Sequence, residues 1–387
     1  MSTPTATRLY AADANVTVLS NTPFVTDWVR RYFGSWWNAF EVPASSVCAG
    51  PLVTAGIDDQ MYARLLTLVT NCPHGDVTYA EARLLLARDS TGTITGVSPE
   101  QGLAYRSVQL GGLVTIAGRT PEALALAAAR IAREMIRAAL LRDGWTLLHA
   151  SAVVSDDQVL LAVGSKGAGK TTTALLLASR GAQLLANDRV FVKVVGSEVR
   201  ALPWPAAAAV GLGLLDALGL YDVVRERLQA GERLHPTQHQ DVTDALLASR
   251  REPLWEPGGK RERKVQVFPD QFSTWFGMEL ATGGRAAALL FPRIDPSALP
   301  AVVDGNRTLG EDDFIGSATE DRYPDHFGLA PGINGGGDDM ARAAVADRLA
   351  ALPHHQVVLG HDVEANADFL AKLAGVQKHG IGTGNLA

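Results

Sequence analysis

The chain has 387 residues, 47% of them hydrophobic, and a formal charge of −6 at neutral pH. This is ample apolar material for a large core, it favours two domains or one domain with an appendage, and it excludes a disordered or fibrous protein. The acidic balance leaves no electrostatic footprint for nucleic acid, since the basic residues form one short cluster at residues 260–264, so small-molecule or peptide partners are expected.

Cys48 and Cys72 lack metal-ligand spacing and are too few to staple a secreted scaffold. They read as two buried thiols of a cytoplasmic protein. Residues 1–16 lack the basic-then-apolar order of a secretory signal, and the first of them read as a mobile tail. The two most apolar windows, residues 123–141 and 202–220, are interrupted by Arg130, Arg133, Glu134 and Arg137 in the first case and by two prolines and Asp216 in the second. No membrane span is expected from either.

In chain order, "NVTVLSN" (residues 15–21) reads as a strand and "TPFVTDWVRRYFGSWW" as a helix capped by Thr22. Residues 76–118 alternate between apolar runs and glycine breaks, which predicts a small sheet. Thr120, Pro121 and Glu122 supply a cap, a first-turn proline and a first-turn acid for a long helix that ends near Arg142. A domain boundary is placed there, with residues 1–140 as an N-terminal α/β domain for docking, oligomerisation or substrate binding and residues 141–387 as the second domain. "WTLLHASAVV", "SDD" and "QVLLAVG" predict a hairpin, "KTTTALLLASRG" a helix closed by Gly181, and "AQLLAND" a buried strand. Further on, "AVGLGLLDALGLYDVVRERLQAG" and "DDMARAAVADRLAAL" read as helical and "RKVQVF" and "AAALLFPRI" as strands. Residues 304–339, rich in Gly and Asp, predict a long surface loop.

Residues 164–171, "GSKGAGKT", fit the phosphate-binding pattern G-x-x-x-x-G-K-[ST], and they lie where that pattern has meaning, between an apolar strand and a helix. Gly164, Gly167 and Gly169 permit the close backbone approach that lets successive amides face a polyphosphate, with Ser165, Lys166 and Ala168 completing the loop. Lys170 is placed to reach the outer phosphates at the start of the helix, and the Thr171 hydroxyl to ligate magnesium, with Thr172 beside it. Asp188 follows the next strand. If that strand runs parallel to the one before the loop, the carboxylate faces the phosphates as a base or as a magnesium ligand through water; otherwise it caps a turn with Arg189. His149, in the hairpin strand that leads into the loop, reads on its own as a packed histidine or as a site residue.

The run "HASAVV…VLLAVGSKGAGKTTTALLLASRGAQLLANDRV", residues 149–190, resembles the catalytic core of the HPr kinase/phosphorylase family and of the HPr-kinase-like proteins of peptide-modification clusters. The resemblance implies a P-loop kinase domain of HPr kinase/phosphoenolpyruvate carboxykinase type, with ATP and Mg²⁺ as cofactors and a peptide, protein or small-molecule hydroxyl as acceptor. It puts the family's histidine on His149, its paired aspartates on Asn187 and Asp188, and the general base on Asp188. Asn187 departs from the family's first aspartate, Thr172 stands where the HPr kinases carry glutamate, and Ala208 and Val210 replace charged residues of a later signature. The reading is therefore of a kinase without phosphorolysis. Arg261, Arg263 and Lys264, beside a predicted strand, and Arg293 are candidates for acceptor contacts or a solvated charge cluster. Asp321, Arg322, Tyr323, Asp325 and His326 are a pocket or a surface turn. The alternative class is a nucleotide-switched ATPase or assembly protein. The oligomeric state is left open, a homo-oligomer included.

Overall fold

The computed structural model describes residues 3–46, 50–108, 112–259, 261–316, 324–333 and 335–376. Cys48, Lys260, Asp321, Arg322 and Tyr323 lie outside them. The fold is mixed α/β with two large sheets. Contacts divide the chain into two units, residues 1–147 with 314–342 and residues 148–313 with 343–387. Residues 314–342 thus group with the first unit, whereas the sequence reading had them in the second domain.

In the first unit, nine strands follow the order Phe40–Val42, Thr5–Ala11, Ala14–Ser20, Leu52–Ile57, Leu113–Gly118, Leu103–Val108, Ile94–Ser98, Ala82–Arg88, Gly75–Tyr79. The sheet expected from residues 76–118 is therefore half of a larger one. The strand Thr5–Ala11, which the sequence does not predict, is paired along its length with Ala14–Ser20. Its small residues hid it, because burial falls on Ala6 and Ala11 as well as Leu9. Helix Pro23–Trp37 forms because Val25, Trp28, Val29, Tyr32, Phe33, Trp36 and Trp37 fall on one helical face and are buried. Stacking of Trp28 on Tyr32 (4.9 Å) and of Phe33 on Trp37 (5.4 Å) ties successive turns. The expected long helix is Pro121–Arg142, with the Thr120 hydroxyl accepting from the Ala123 amide.

In the second unit the sheet runs Val190–Val195, Glu198–Pro203, Gly284–Ile294, Gln158–Val163, Ala150–Ser155, Gln183–Ala186. Strand His354–Leu359 lies parallel to the second half of Gly284–Ile294. Ala150–Ser155 and Gln158–Val163 form the expected hairpin, turned by Asp156 and Asp157 at φ 50° and 63°. Gln183–Ala186 is antiparallel to Ala150–Ser155 on its other edge, so it runs parallel in direction to Gln158–Val163. Gly284–Ile294 is parallel to Gln158–Val163 as well. One end of this sheet therefore collects His149, Gly164, Asn187 with Asp188, and Ile294.

Several expectations change. The segment beginning at residue 209 is not one helix: Ala208–Val210 is a strand paired with Val265–Val267, and helices Leu212–Ala217 and Tyr221–Gln229 follow. Residues 304–339 are not a surface loop throughout, since Asp313, Phe314, Ile315, Phe327, Leu329 and Ala330 are buried. Cys72 is exposed. No helix among the described residues is long and apolar enough to cross a membrane. Leu124 is fully buried in helix Pro121–Arg142. Leu124→Ala should therefore cost about 2–5 kcal/mol in the urea unfolding of the first unit, the range for truncating a core leucine; a loss below about 1 kcal/mol would contradict this packing.

Candidate functional site

The site is built where the hairpin strand Gln158–Val163 ends and helix Lys170–Ala178 begins. Between them Ser165, Lys166 and Gly167 are exposed, and the Ala168 amide closes a turn on the Ser165 carbonyl at 3.2 Å. Gly169 explains why the loop needs glycine. Its φ is 103°, a conformation that strains any residue with a side chain, and a β-carbon there would come within 2.7 Å of Ile294 Cδ1, so the Ile294 side chain would have to move as well. The loop is thereby pressed against the end of strand Gly284–Ile294.

The first intrahelical bond runs from the Thr173 amide to the Gly169 carbonyl, 2.8 Å, so the amides before Thr173 have no acceptor within the helix. Those donors and the positive helix end suit an anion. Lys170 is buried and its Nζ donates to the carbonyls of Gly164 (2.7 Å) and Ser165 (3.2 Å), drawing the ammonium across the loop entrance. Thr171 and Thr172 are half-buried. Thr173 Oγ1 and Asn187 Oδ1 are buried without a hydrogen-bond partner among the described residues.

Asp188 sits just beyond Gln183–Ala186. Its Oδ1 is 3.3 Å from His149 Nε2, and its Oδ2 is 3.4 Å from Arg189 Nε. The side chain is 48% exposed, yet desolvation is the largest single influence on its carboxyl and acts to raise it. The His149 hydrogen bond and the charges of Arg189, His149 and Lys170 outweigh that influence and hold the carboxyl below its usual 3.8. Asp188 is therefore ionised at neutral pH, and Lys170 of the loop is near enough to act on it. The Arg189 guanidinium lies 5.7 Å from the centre of the Trp204 ring.

Main-chain bonds fix both ends of this pair. The His149 amide donates to the Asp313 carbonyl at 2.7 Å, and the Ser151 hydroxyl donates to the Asn187 carbonyl. Neither partnership was legible, because no local pattern links residues 149 and 313, and Ser151 is one small residue inside an apolar run.

The remaining candidates have other engagements. Arg263 pairs with Asp241 of helix Gln240–Leu247, Arg261 is exposed with its carbonyl bonded to the Glu256 amide, and Lys264 acts on its neighbour Glu262. Arg293 is exposed, 3.9 Å from Asp295, and alternates along its strand with Pro292 and Ile294, which approach Gly169. Asp325 uses both carboxylate oxygens on the amides of Leu329 and Ala330, and His326 stands edge-on to Tyr79.

The residues present fit a nucleoside polyphosphate with magnesium. The loop and helix start offer amides and an ammonium, while Thr171 and Asp188 offer the hard oxygen donors that magnesium prefers. No cluster of three or more His, Cys, Asp or Glu that could cage a metal occurs among the described residues. Magnesium held by one or two protein oxygens together with substrate phosphates needs no such cage.

No protein-family model matches the sequence, and no curated protein matches it. Among solved structures, the Hpr(Ser) kinase/phosphatase from Coxiella burnetii matches 39% of this chain and 66% of its own, just under two thirds, at 13% identity and a TM-score of 0.20. A superposition of that quality decides neither fold nor activity.

Because the Asp188 carboxyl is lowered on folding, the stability it contributes is present at neutral pH and is lost as pH falls through its depressed folded value. A ¹³C-carboxylate NMR titration of the free protein should give a midpoint for Asp188 below 3.8, and His149→Ala should raise it. A midpoint at or above 3.8 in the unaltered protein would contradict the pairing.

Proposed function

We propose that the second unit is an ATP-dependent phosphotransferase that moves the γ-phosphoryl group to a hydroxyl of a peptide, protein or small molecule. The observation that carries the reading is the ionised carboxylate of Asp188, paired with His149 and within electrostatic reach of Lys170 at the sheet end where the loop begins. The loop amides not spent within the loop and the Lys170 ammonium hold the phosphates, and Lys170 leaves its carbonyl partners to do so. Thr171, with Asp188 through water, would hold magnesium, which when bound neutralises charge on the outer phosphates.

The acceptor oxygen forms a bond to the γ-phosphorus as the bond from that phosphorus to the bridging oxygen of ADP breaks. Asp188 takes the hydroxyl proton, and the electron pair of the broken bond leaves with ADP. A carboxylate of low basicity suffices here. Phosphoryl transfer proceeds through a loose transition state in which the acceptor proton leaves late, so the base must be ionised and correctly placed more than strongly basic. His149 keeps Asp188 in that state and orients it. Arg189, fixed beside Trp204, supplies positive charge near the developing negative charge.

Incubation with γ-labelled ATP and a panel of peptide, protein and small-molecule hydroxyl acceptors tests this reading. Lys170→Ala should lower transfer at least 100-fold, and Asp188→Asn should keep nucleotide binding while lowering transfer about 10²–10⁴-fold, the range for a positioned general base. Wild-type transfer by Asp188→Asn, or phosphate released only to water with every acceptor, would overturn it; the second result would mark a nucleotide-switched ATPase.

A further inference from the structure

Beyond strand Ala301–Val303 the chain returns through Arg307 to a single 3-10 turn, Glu311–Asp313. Asp313 is 6% exposed and carries a carboxylate, an arrangement that requires partners. Arg307 provides them in fork geometry: its Nη1 donates to Asp313 Oδ2 at 3.0 Å and its Nη2 to Oδ1 at 2.6 Å. The Gly310 amide adds a third bond, to Oδ2 at 2.9 Å. The guanidinium also lies 4.9 Å from the centre of the Phe291 ring, which restricts how the fork can turn.

What this clamp fixes is a main-chain carbonyl. Asp313 O accepts from the His149 amide at 2.7 Å, and the ring of the same His149 reaches Asp188 Oδ1 at 3.3 Å. We infer that Arg307 is a positioning residue: by clamping the Asp313 carboxylate it sets the backbone from which His149 holds Asp188. The inference rests on the phosphotransferase reading of Asp188. Outer partners of this kind matter because a displacement of about an ångström at the reacting groups, caused from a distance, costs orders of magnitude in rate. A clamp with only a structural role would change the melting temperature and leave Asp188 as it was.

The test uses the full chain with Arg307→Gln, Arg307→Lys and, as a control, Arg227→Gln, which removes a solvent-exposed ion pair with Glu232 elsewhere in the same unit. Two quantities are read, the ¹³C-carboxylate titration midpoint of Asp188, whose charged neighbours are His149, Arg189 and Lys170, and the steady-state constants of phosphoryl transfer. Arg307→Gln should raise the Asp188 midpoint in the direction given by His149→Ala and lower kcat about tenfold, with KM for ATP changed less than about twofold. Arg307→Lys keeps the cation without the fork and should fall between the wild type and Arg307→Gln. Arg227→Gln should match the wild type in both readouts.

A wild-type midpoint and kcat in Arg307→Gln would overturn the inference. Should that variant not fold, an unchanged midpoint in Arg307→Lys would do the same. If the unaltered protein transfers no phosphate to any acceptor, the phosphotransferase reading fails, and the titration still decides whether Arg307 positions the pair.

Discussion

The arrangement depends on one carboxylate held in its charged form. Asp188 has reason to resist ionisation, because the surrounding protein removes part of its hydration, and it is kept ionised by His149, Arg189 and Lys170. Each of these neighbours comes from a different stretch of chain: the entrance to the hairpin, the start of the next strand, and the helix after the glycine loop. The position of the charge therefore reports on the packing of the whole sheet end.

Topology brings the stretches together. Gln158–Val163 and Gln183–Ala186 are both antiparallel to Ala150–Ser155, which lies between them, so they share a direction and finish at the same end. The start of Ala150–Ser155 must lie at that end too, and it carries His149. Gly284–Ile294 runs the same way and delivers Ile294 to Gly169. The carboxyl ends of strands in open α/β sheets are where ligands bind, and here they gather a loop of amides, a buried ammonium and a paired carboxylate.

Much of this end was legible in the sequence because its signals are local. The hairpin turn, the glycine spacing, the nine-residue helix and the apolar run before Asp188 each occupy fewer than a dozen residues and obey simple periodicity. Illegible were the features made by distance or by small side chains. Ala6 and Ala11 bury as fully as larger residues in the sheet of the first unit but make no apolar pattern, so no strand is predicted over Thr5–Ala11. Residues 304–339 looked like a surface loop because glycine and aspartate dominate, yet Asp313 is buried through Arg307, a pairing that composition cannot announce. Arg263 appeared available as one of a cluster of cations, and its partner Asp241 lies on a helix that sequence alone could not bring beside it.

The central claim is that one nucleotide phosphate chain lies against both the glycine loop and the Asp188 pair. Paramagnetic broadening by Mn²⁺–ATP in assigned NMR spectra tests it most directly, because the effect falls steeply with distance from the ion. The account requires the resonances of Thr171, His149 and Asp188 to broaden together at substoichiometric metal, with Asp156 and Asp157 in the hairpin turn at the opposite strand ends unaffected. Broadening at Thr171 with His149 and Asp188 left sharp would put the carboxylate away from the phosphates and contradict the account.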